Sequence, residues 1–317
     1  MYKEVWQKLQ EARHIVLATH INPDADTIGS ALGLYHVLQK SGKRPYLFNS
    51  DKELPYNLDF LPGIERFGTS IADNAELLVS LDCGSFDRLG IDKFDGFIIN
   101  IDHHRSNEFF GDLNLVEPSF GATAQVVFEL LERNGAKPCK NSATALYTGI
   151  VDDTGFFKYE SVNEKLFRSV AKLCGYGASP HYVAKMLTMR EPLSKIRLIQ
   201  MLLADLKLYL NGRVGVIELT REILKKTGAK KEMADDALHM VRSLATVEVA
   251  VLLREEDDGK IKVSLRSKDR VDVSKIAIKF GGGGHKNAAG FTIGGTFDEV
   301  LEMILNELKR ELDETAQ

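Results

Sequence analysis

Four short apolar runs of β type lie in the first hundred residues, at 14–19, 44–49, 76–81 and 96–101, with helical patterns interleaved near 26–41, 121–134 and 141–151. Alternating β and α segments of this kind call for a parallel sheet covered on both faces. In such sheets ligands collect at the carboxyl ends of the strands. Three of the runs end on metal-competent side chains: His20, Asp24 and Asp26 in THINPDADTIGS, Asp82 in LDCGS, and the tripeptide Asp102, His103, His104. A fourth acidic cluster, with Asp153, lies in GIVDDTGFF. The predicted sheet brings these clusters together although up to about 130 residues separate them.

Each cluster has an ordinary explanation when taken alone. Asp24 or Asp26 could cap the helix that follows, as aspartate commonly does, and a lone histidine at a strand end is usually hydrogen-bonded into the core. Four such clusters at strand or helix ends of one sheet share a single geometry, and that points to a metal site. Carboxylates and imidazoles suit ions such as Mn²⁺ or Mg²⁺, and two ions about 3.5–4 Å apart can clamp a phosphoryl displacement. Such a pair needs a bridging carboxylate. Asp24 and Asp26 could face different ions while Asp82 touches both, with His20, His103 and Asp153 completing the shells.

The second half reads as a helix after Pro192 through Leu210, a strand at 213–219, helices at 220–227 and 231–243, and strands at 247–254 and 260–267. A short helix at 273–278, the loop GGGGH, a strand at 288–293 and a terminal helix at 296–314 complete it. Val300, Leu301, Ile304, Leu308 and Leu312 recur at helical spacing on that last helix, the pattern of a core-packing face. Glycines 281–284 let main-chain N–H groups approach an anion with no Cβ in the way. No GK[ST] follows, so this is not a Walker A loop.

Bulk composition excludes several classes. The net charge of −4 argues against general affinity for long nucleic acid. Positive charge is local: residues 259–290 hold eight Lys or Arg against two Asp. No apolar stretch approaches the ~20 residues that span a bilayer, and the first helix is amphipathic rather than signal-like, so a cytoplasmic protein without membrane partners is expected. The three cysteines, Cys83, Cys139 and Cys174, show no CxxC spacing and fit reduced thiols. A homodimer is compatible with the sequence and not required by it.

Taken together, THINPDADTIGS, LDCGS, DHH and DDTGFF, followed by SLRSKDRVDVSKIAIKFGGGGHKNAAGF, resemble the DHH/DHHA1 phosphoesterases of the nanoRNase and pAp phosphatase type over essentially the whole chain. The resemblance implies an N-terminal doubly wound, mostly parallel α/β domain over 1–187, a linker helix over 188–210, and a smaller α/β domain over 211–317, with the active site in the cleft between the domains. It implies two divalent cations, Mn²⁺ by preference with Mg²⁺ or Co²⁺ as alternatives, one held by His20, Asp24 and Asp82 and the other by Asp26, Asp82, His103 and Asp153. His104 then meets the substrate phosphate, Asp102 orients it, and a two-metal-activated hydroxide attacks. Ser264, Arg266, Gly282, Gly283, Gly284 and His285 bind substrate. Ala25 stands where this family commonly has Gly, and Asp152 where Thr often precedes the ligand aspartate. Asp153 is taken as the ligand because it precedes Thr154 and Gly155.

The implied activity is hydrolysis of short oligoribonucleotides, linear dinucleotides such as pApA, or the 3′-phosphate of pAp. The alternatives are a cyclic dinucleotide phosphodiesterase acting on c-di-AMP and a catalytically silent nucleotide-binding regulator. All seven implied ligand and contact positions are chemically competent, which favours the enzyme.

Overall fold

The structure, a computed structural model, describes residues 1–268 and 270–314. The chain divides into two compact units, Met1–Arg190 and Glu191–Gln317. The first contains α1 (Tyr2–Glu11), β1 (Ile15–Thr19), α2 (Ala25–Lys40), β2 (Tyr46–Phe48), β3 (Phe67–Gly68), β4 (Leu77–Leu81), β5 (Phe97–Asp102), β6 (Leu113–Val116), α3 (Thr123–Arg133), α4 (Lys140–Asp153), α5 (Glu164–Gly175) and α6 (Pro180–Thr188).

Its six strands run in the order β3-β2-β1-β4-β5-β6, and every pairing is parallel. Strands β1 and β4 are buried at every residue, which is why they read as unbroken apolar runs. One sheet face places Leu17, Val79 and Ile99 among residues of α2, α3 and α4. The other packs Val16, Ala18 and Leu78 with Phe48, Leu89 and the ring of Phe94. Strand order reverses between β1 and β4, so the crevice beyond their carboxyl ends is the topological switch point of the sheet. Strands β3 and β6 were not anticipated. Two residues of β3 show no period, and Asn114 interrupts the apolar signal of β6.

The second unit contains α7 (Leu193–Ala204), β7 (Lys207–Tyr209), β8 (Val214–Leu219), α8 (Arg221–Thr227), α9 (Asp235–Ser243), β9 (Val249–Glu255), β10 (Ile261–Ser267), α10 (Val273–Lys279), β11 (Gly283–His285), β12 (Ala288–Ile293) and α11 (Phe297–Glu314). The sheet order is β11-β12-β10-β9-β8-β7, with β8 and β9 parallel and the other pairs antiparallel. Helices α10 and α11 cover one face, and the buried Val300, Ile304 and Leu308 of α11 lie there. Helices α7 and α9 cover the other.

Two expectations are corrected here. The helix expected through Leu210 stops at Ala204, because Lys207, Leu208 and Tyr209 form an edge strand that turns at Gly212 (φ +81°) onto β8. Its Leu198 and Leu202 pack with Ile217 and Leu219 of β8, so α7 is part of the second unit's core. The GGGGH segment is not wholly a loop, since Gly283–His285 pair with β12. Glycine permits this: a Cβ at Gly282 would lie 2.3 Å from the Gly290 carbonyl oxygen, and one at Gly284 would lie 2.5 Å from that of Ala288.

Helix α2 approaches α4 closely through Gly29, where a Cβ would stand 2.5 Å from the Ala145 carbonyl oxygen. Both helices carry site residues, so this contact sets the spacing between Asp26 and Asp153. Gly29→Val is expected to cost about 1–3 kcal/mol through overpacking, read as a lower urea midpoint with an unchanged slope.

Candidate active site

His20 follows the last residue of β1, and its Nδ1 donates to the Ile21 carbonyl oxygen at 2.8 Å. That bond sets the ring orientation and turns Nε2 toward the acids of the site. Nε2 stands 3.7 Å from Asp24 Oδ2 and 3.6 Å from Asp82 Oδ2. Asp24 is the N-cap of α2, where its Oδ1 accepts from the backbone N–H groups of Asp26 and Thr27 at 3.1 and 3.0 Å. One oxygen caps the helix and the other faces His20. The capping explanation and the ligand explanation for Asp24 are therefore both compatible with its geometry.

Asp82 lies just beyond β4 in the left-handed region, φ +61°, which aspartate tolerates better than most residues. It is buried, and its Oδ1 accepts from the Thr123 hydroxyl at 2.7 Å. The same oxygen is 3.6 Å from His103 Nε2, so the two oxygens of Asp82 face His20 and His103 respectively. His103 Nε2 is in turn 3.3 Å from Asp153 Oδ2, at the end of α4. The His103 Nδ1 bonds the Phe120 carbonyl oxygen at 3.2 Å, locking the ring as in His20.

Asp26 is fully buried, and it accepts from the backbone N–H groups of Thr123 and Ala124 at 2.6 and 2.9 Å. These belong to the first turn of α3, whose dipole favours a carboxylate. Ligand atoms of His20, Asp24 and Asp82 form one compact group, those of Asp26, His103 and Asp153 a second, and those of Asp82, His103 and His104 a third.

His104 differs from the other two histidines. Its Nδ1 bonds Asp102 Oδ1 at 2.7 Å, and Asp102 is completely buried, fixed by the His103 backbone N–H at 2.8 Å and by Asn107 Nδ2 at 2.6 Å. Such distances are those of hydrogen bonds, whereas the 3.3–3.7 Å gaps from His20 and His103 to their carboxylates are too wide for good ones. Ligands about 2.1 Å from a shared octahedral ion stand about 3 Å from one another. The donor set is oxygen and imidazole nitrogen without sulfur, and it fits hard or borderline divalent cations.

Several groups that matter here carry no motif. Thr123 contributes both a hydroxyl and an N–H, and Asn107 positions Asp102. The readable signals are the helix start in GATAQ and the polar residues behind DHH. Asp152 takes a hydrogen bond from the Ala25 backbone; loss of water and the nearby Asp24 push it up to about 6.

In the second unit, Ser264 and Arg266 alternate with the buried Leu265, so both lie on the face of α9. Strand register aligns Ser264 with Gly290 and Gly283, and Arg266 with Ala288 and His285. Arg266 and His285 thus border a floor of small residues, and a Cβ at Gly283 would meet nothing within 4 Å. Gly282 and Gly284 serve the close approach to β12 described above, and Gly284 holds φ +142°.

A family model described as DHH family, N-terminal domain, matches residues 14–150, and the DHHA1 domain matches residues 211–314. The chain belongs to the DHH phosphoesterase family. It is 36% identical over 301 residues to the bifunctional oligoribonuclease and PAP phosphatase NrnA of Thermus thermophilus, covering 94% of this chain and 90% of that one. The protein of the same name from Bacillus subtilis is 28% identical over 88% of this chain and 89% of its own length. The crystal structure of an exopolyphosphatase-related protein from Bacteroides fragilis superposes with a TM-score of 0.92 at 27% identity, covering 100% of this chain and 97% of that one. Enzymes of this family are metal-dependent, and the acid and histidine groups described could hold metal. No helix among the described residues is long and apolar enough to cross a membrane.

Crowding leaves a clear electrostatic signature. Burial, then Asp82 and Asp153, drive the Asp26 carboxyl well above its usual range, and loss of water raises Asp153 to about 7. The hydrogen bond to Asp102 raises His104 to about 9; burial pulls His20 down, but Asp24 and Asp82 outweigh it and hold that imidazole at about 10. All four groups bind protons more tightly when folded than unfolded, so their contribution to stability falls as pH rises from about 4 to about 10. Metal-free protein is expected to melt at a lower temperature at pH 9 than at pH 6. Cations replace those protons, so the gain in melting temperature on adding Mn²⁺ should be larger at pH 9. A metal-induced gain that shrinks with rising pH contradicts the site.

Proposed function

We propose that the protein hydrolyses phosphate esters of very short nucleotides, namely oligoribonucleotides of a few residues, linear dinucleotides such as pApA, and the 3′-phosphate of pAp, in the cytoplasm and with two manganese ions. The observation that carries this reading is Asp82, whose two oxygens face different histidine–carboxylate groups and so suit a bridge. The substrate class follows the names of the two oligoribonuclease and PAP phosphatase relatives. His20, Asp24 and Asp82 would hold one cation, and Asp26, Asp82, His103 and Asp153 the other. When bound, such a pair activates water and offsets the charge of the transferring phosphoryl group.

The chain's own groups do the rest. Asp102 holds His104 by Nδ1, so Nε2 is the nitrogen free to donate to a phosphate oxygen. The Thr123 hydroxyl donates to Asp82 Oδ1 and so holds the orientation of the carboxylate that would serve both cations. Arg266 can grip a phosphate with its planar fork, and Ser264 and His285 border the same floor.

Asp82→Ala is expected to abolish turnover and to lower bound manganese, measured by metal analysis alongside kinetics, because one change removes a ligand from both positions. His104→Ala should keep its metal and lose about 10²–10³ in kcat. Metal loss in that variant would exchange the roles of His103 and His104. Arg266→Ala should retain metal and lose about tenfold or more in kcat/KM on dinucleotides, as a charge-assisted contact of about 1.5–3 kcal/mol requires.

The substrate class is tested by comparing kcat/KM with Mn²⁺ for pAp, pApA, a five-nucleotide RNA, a long RNA and cyclic di-AMP. The first three should lead. A clear preference for cyclic di-AMP replaces this reading with that of a cyclic dinucleotide phosphodiesterase, and a preference for long RNA removes the restriction to short substrates.

A further inference from the structure

One row of residues crosses the second sheet on the α9 face: Gly215 on β8, Ala250 on β9, Arg266 on β10, Ala288 on β12 and His285 on β11. Adjacent strands lie about 4.8 Å apart, so Arg266 stands about 10 Å from Gly215 on one side and about 10 Å from His285 on the other. Helix α9 sits on the small end of this row. A Cβ at Gly215 would lie 2.4 Å from Val241 Cγ1, and Leu238 and Val241 are buried with Ala250 and Leu252. A helix is about 10–12 Å across with its side chains, so the flank of α9 ends beside Arg266.

His239 and Arg242 are three apart on α9 and therefore share one side of it. That side faces β10: α7 packs on β8, and α9, which packs on β9 and β10 as well, turns Asp236 to Lys195 of α7, leaving Arg242 on the flank away from that helix. In keeping with this, loss of water and then the charges of Arg242 and Arg266 hold the His239 imidazole below its ordinary range. Among the described residues neither guanidinium has a carboxylate partner, and Arg266 bonds only the Leu265 carbonyl oxygen, at 3.1 Å. Asp235 and Asp236 of the same helix act on His239 in the opposite sense, but Asp236 is already paired with Lys195. One guanidinium on the flank of α9 and another on the strand beside it, at the rim of a glycine and alanine floor, favour an anion carrying more than one charge.

We infer that α9 is the second wall of a two-phosphate site, in which Arg242 with His239 binds a terminal phosphomonoester while Arg266 binds a different phosphate of the same nucleotide. This rests on the short-nucleotide reading above and adds to it a selection rule. Nucleotides bearing a terminal phosphate bind better than the same nucleotides ending in a hydroxyl, and the difference resides in α9.

The test uses fluorescently labelled dinucleotides with a phosphorothioate linkage, which resists hydrolysis, in 5′-phosphorylated and 5′-hydroxyl forms, bound to the full chain with Mn²⁺ and followed by anisotropy. The parent should favour the phosphorylated form by tenfold or more. Arg242→Ala should reduce that ratio to near one, Arg242→Lys should restore part of it, and His239→Gln should reduce it less. Lys262→Ala, on the same strand as Arg266, should leave the ratio unaltered. An unchanged ratio in Arg242→Ala, or an equal loss for both forms, overturns the α9 wall. Failure to turn over any natural dinucleotide, with the binding ratios as stated, would overturn the short-nucleotide reading and leave the anion site standing.

Discussion

Repulsion among Asp24, Asp26, Asp82 and Asp153 is the constraint on which the first unit depends. Like charges at this spacing cannot all ionise in a partly dry site without compensation. Part of the compensation is structural: the start of α2 binds Asp24, the start of α3 binds Asp26, and the Thr123 hydroxyl binds Asp82. Helix α3 therefore has two roles, since its apolar stripe fills the core while its first turn neutralises a carboxylate contributed from a hundred residues away. What remains uncompensated is seen in the raised affinity of Asp26 and Asp153 for protons. A divalent cation bound there would provide the missing charge in one step, and His20 and His103, each locked through Nδ1, would turn Nε2 toward it.

Much of this arrangement was legible because the parallel sheet couples sequence pattern to position. Runs such as LLVSL and FIINI can only be central strands, and the acids directly behind them then share one edge of the sheet. The groups that hold those acids in place were not legible. Thr123 and Asn107 act by hydrogen bonds to residues 41 and 5 positions away, and neither position has a periodic or compositional mark. Short edge strands were missed for a related reason: β3 has two residues and β7 three, fewer than one needs to distinguish alternation from chance.

The glycine segment shows the reverse case, in which the chemistry was read and the local structure was not. Four glycines suggested conformational freedom, yet two of them are needed because β11 presses against β12 more closely than any Cβ permits. The consequence is a floor whose outer strand is paired to β12 and is not a free loop. Strand pairing places His285 and Arg266 at defined register positions, two strands apart, and a paired strand has less ordering entropy to lose when a phosphate binds than a free loop would.

Charge distribution then bears on substrate length. Affinity for long single strands comes from many phosphate contacts, each adding about 0.7 to the salt slope. This chain has a net charge of −4 and gathers its surplus of positive charge in residues 259–290, so phosphates beyond the reach of that segment meet a chain that is negative on balance. A third or fourth nucleotide beyond those contacts adds chain entropy to be lost without adding charge pairs. Affinity per molecule should therefore level off after the first few phosphates, and the salt slope with it. Under the short-nucleotide reading, this placement of charge would limit what a longer RNA gains and would need no separate device to exclude it.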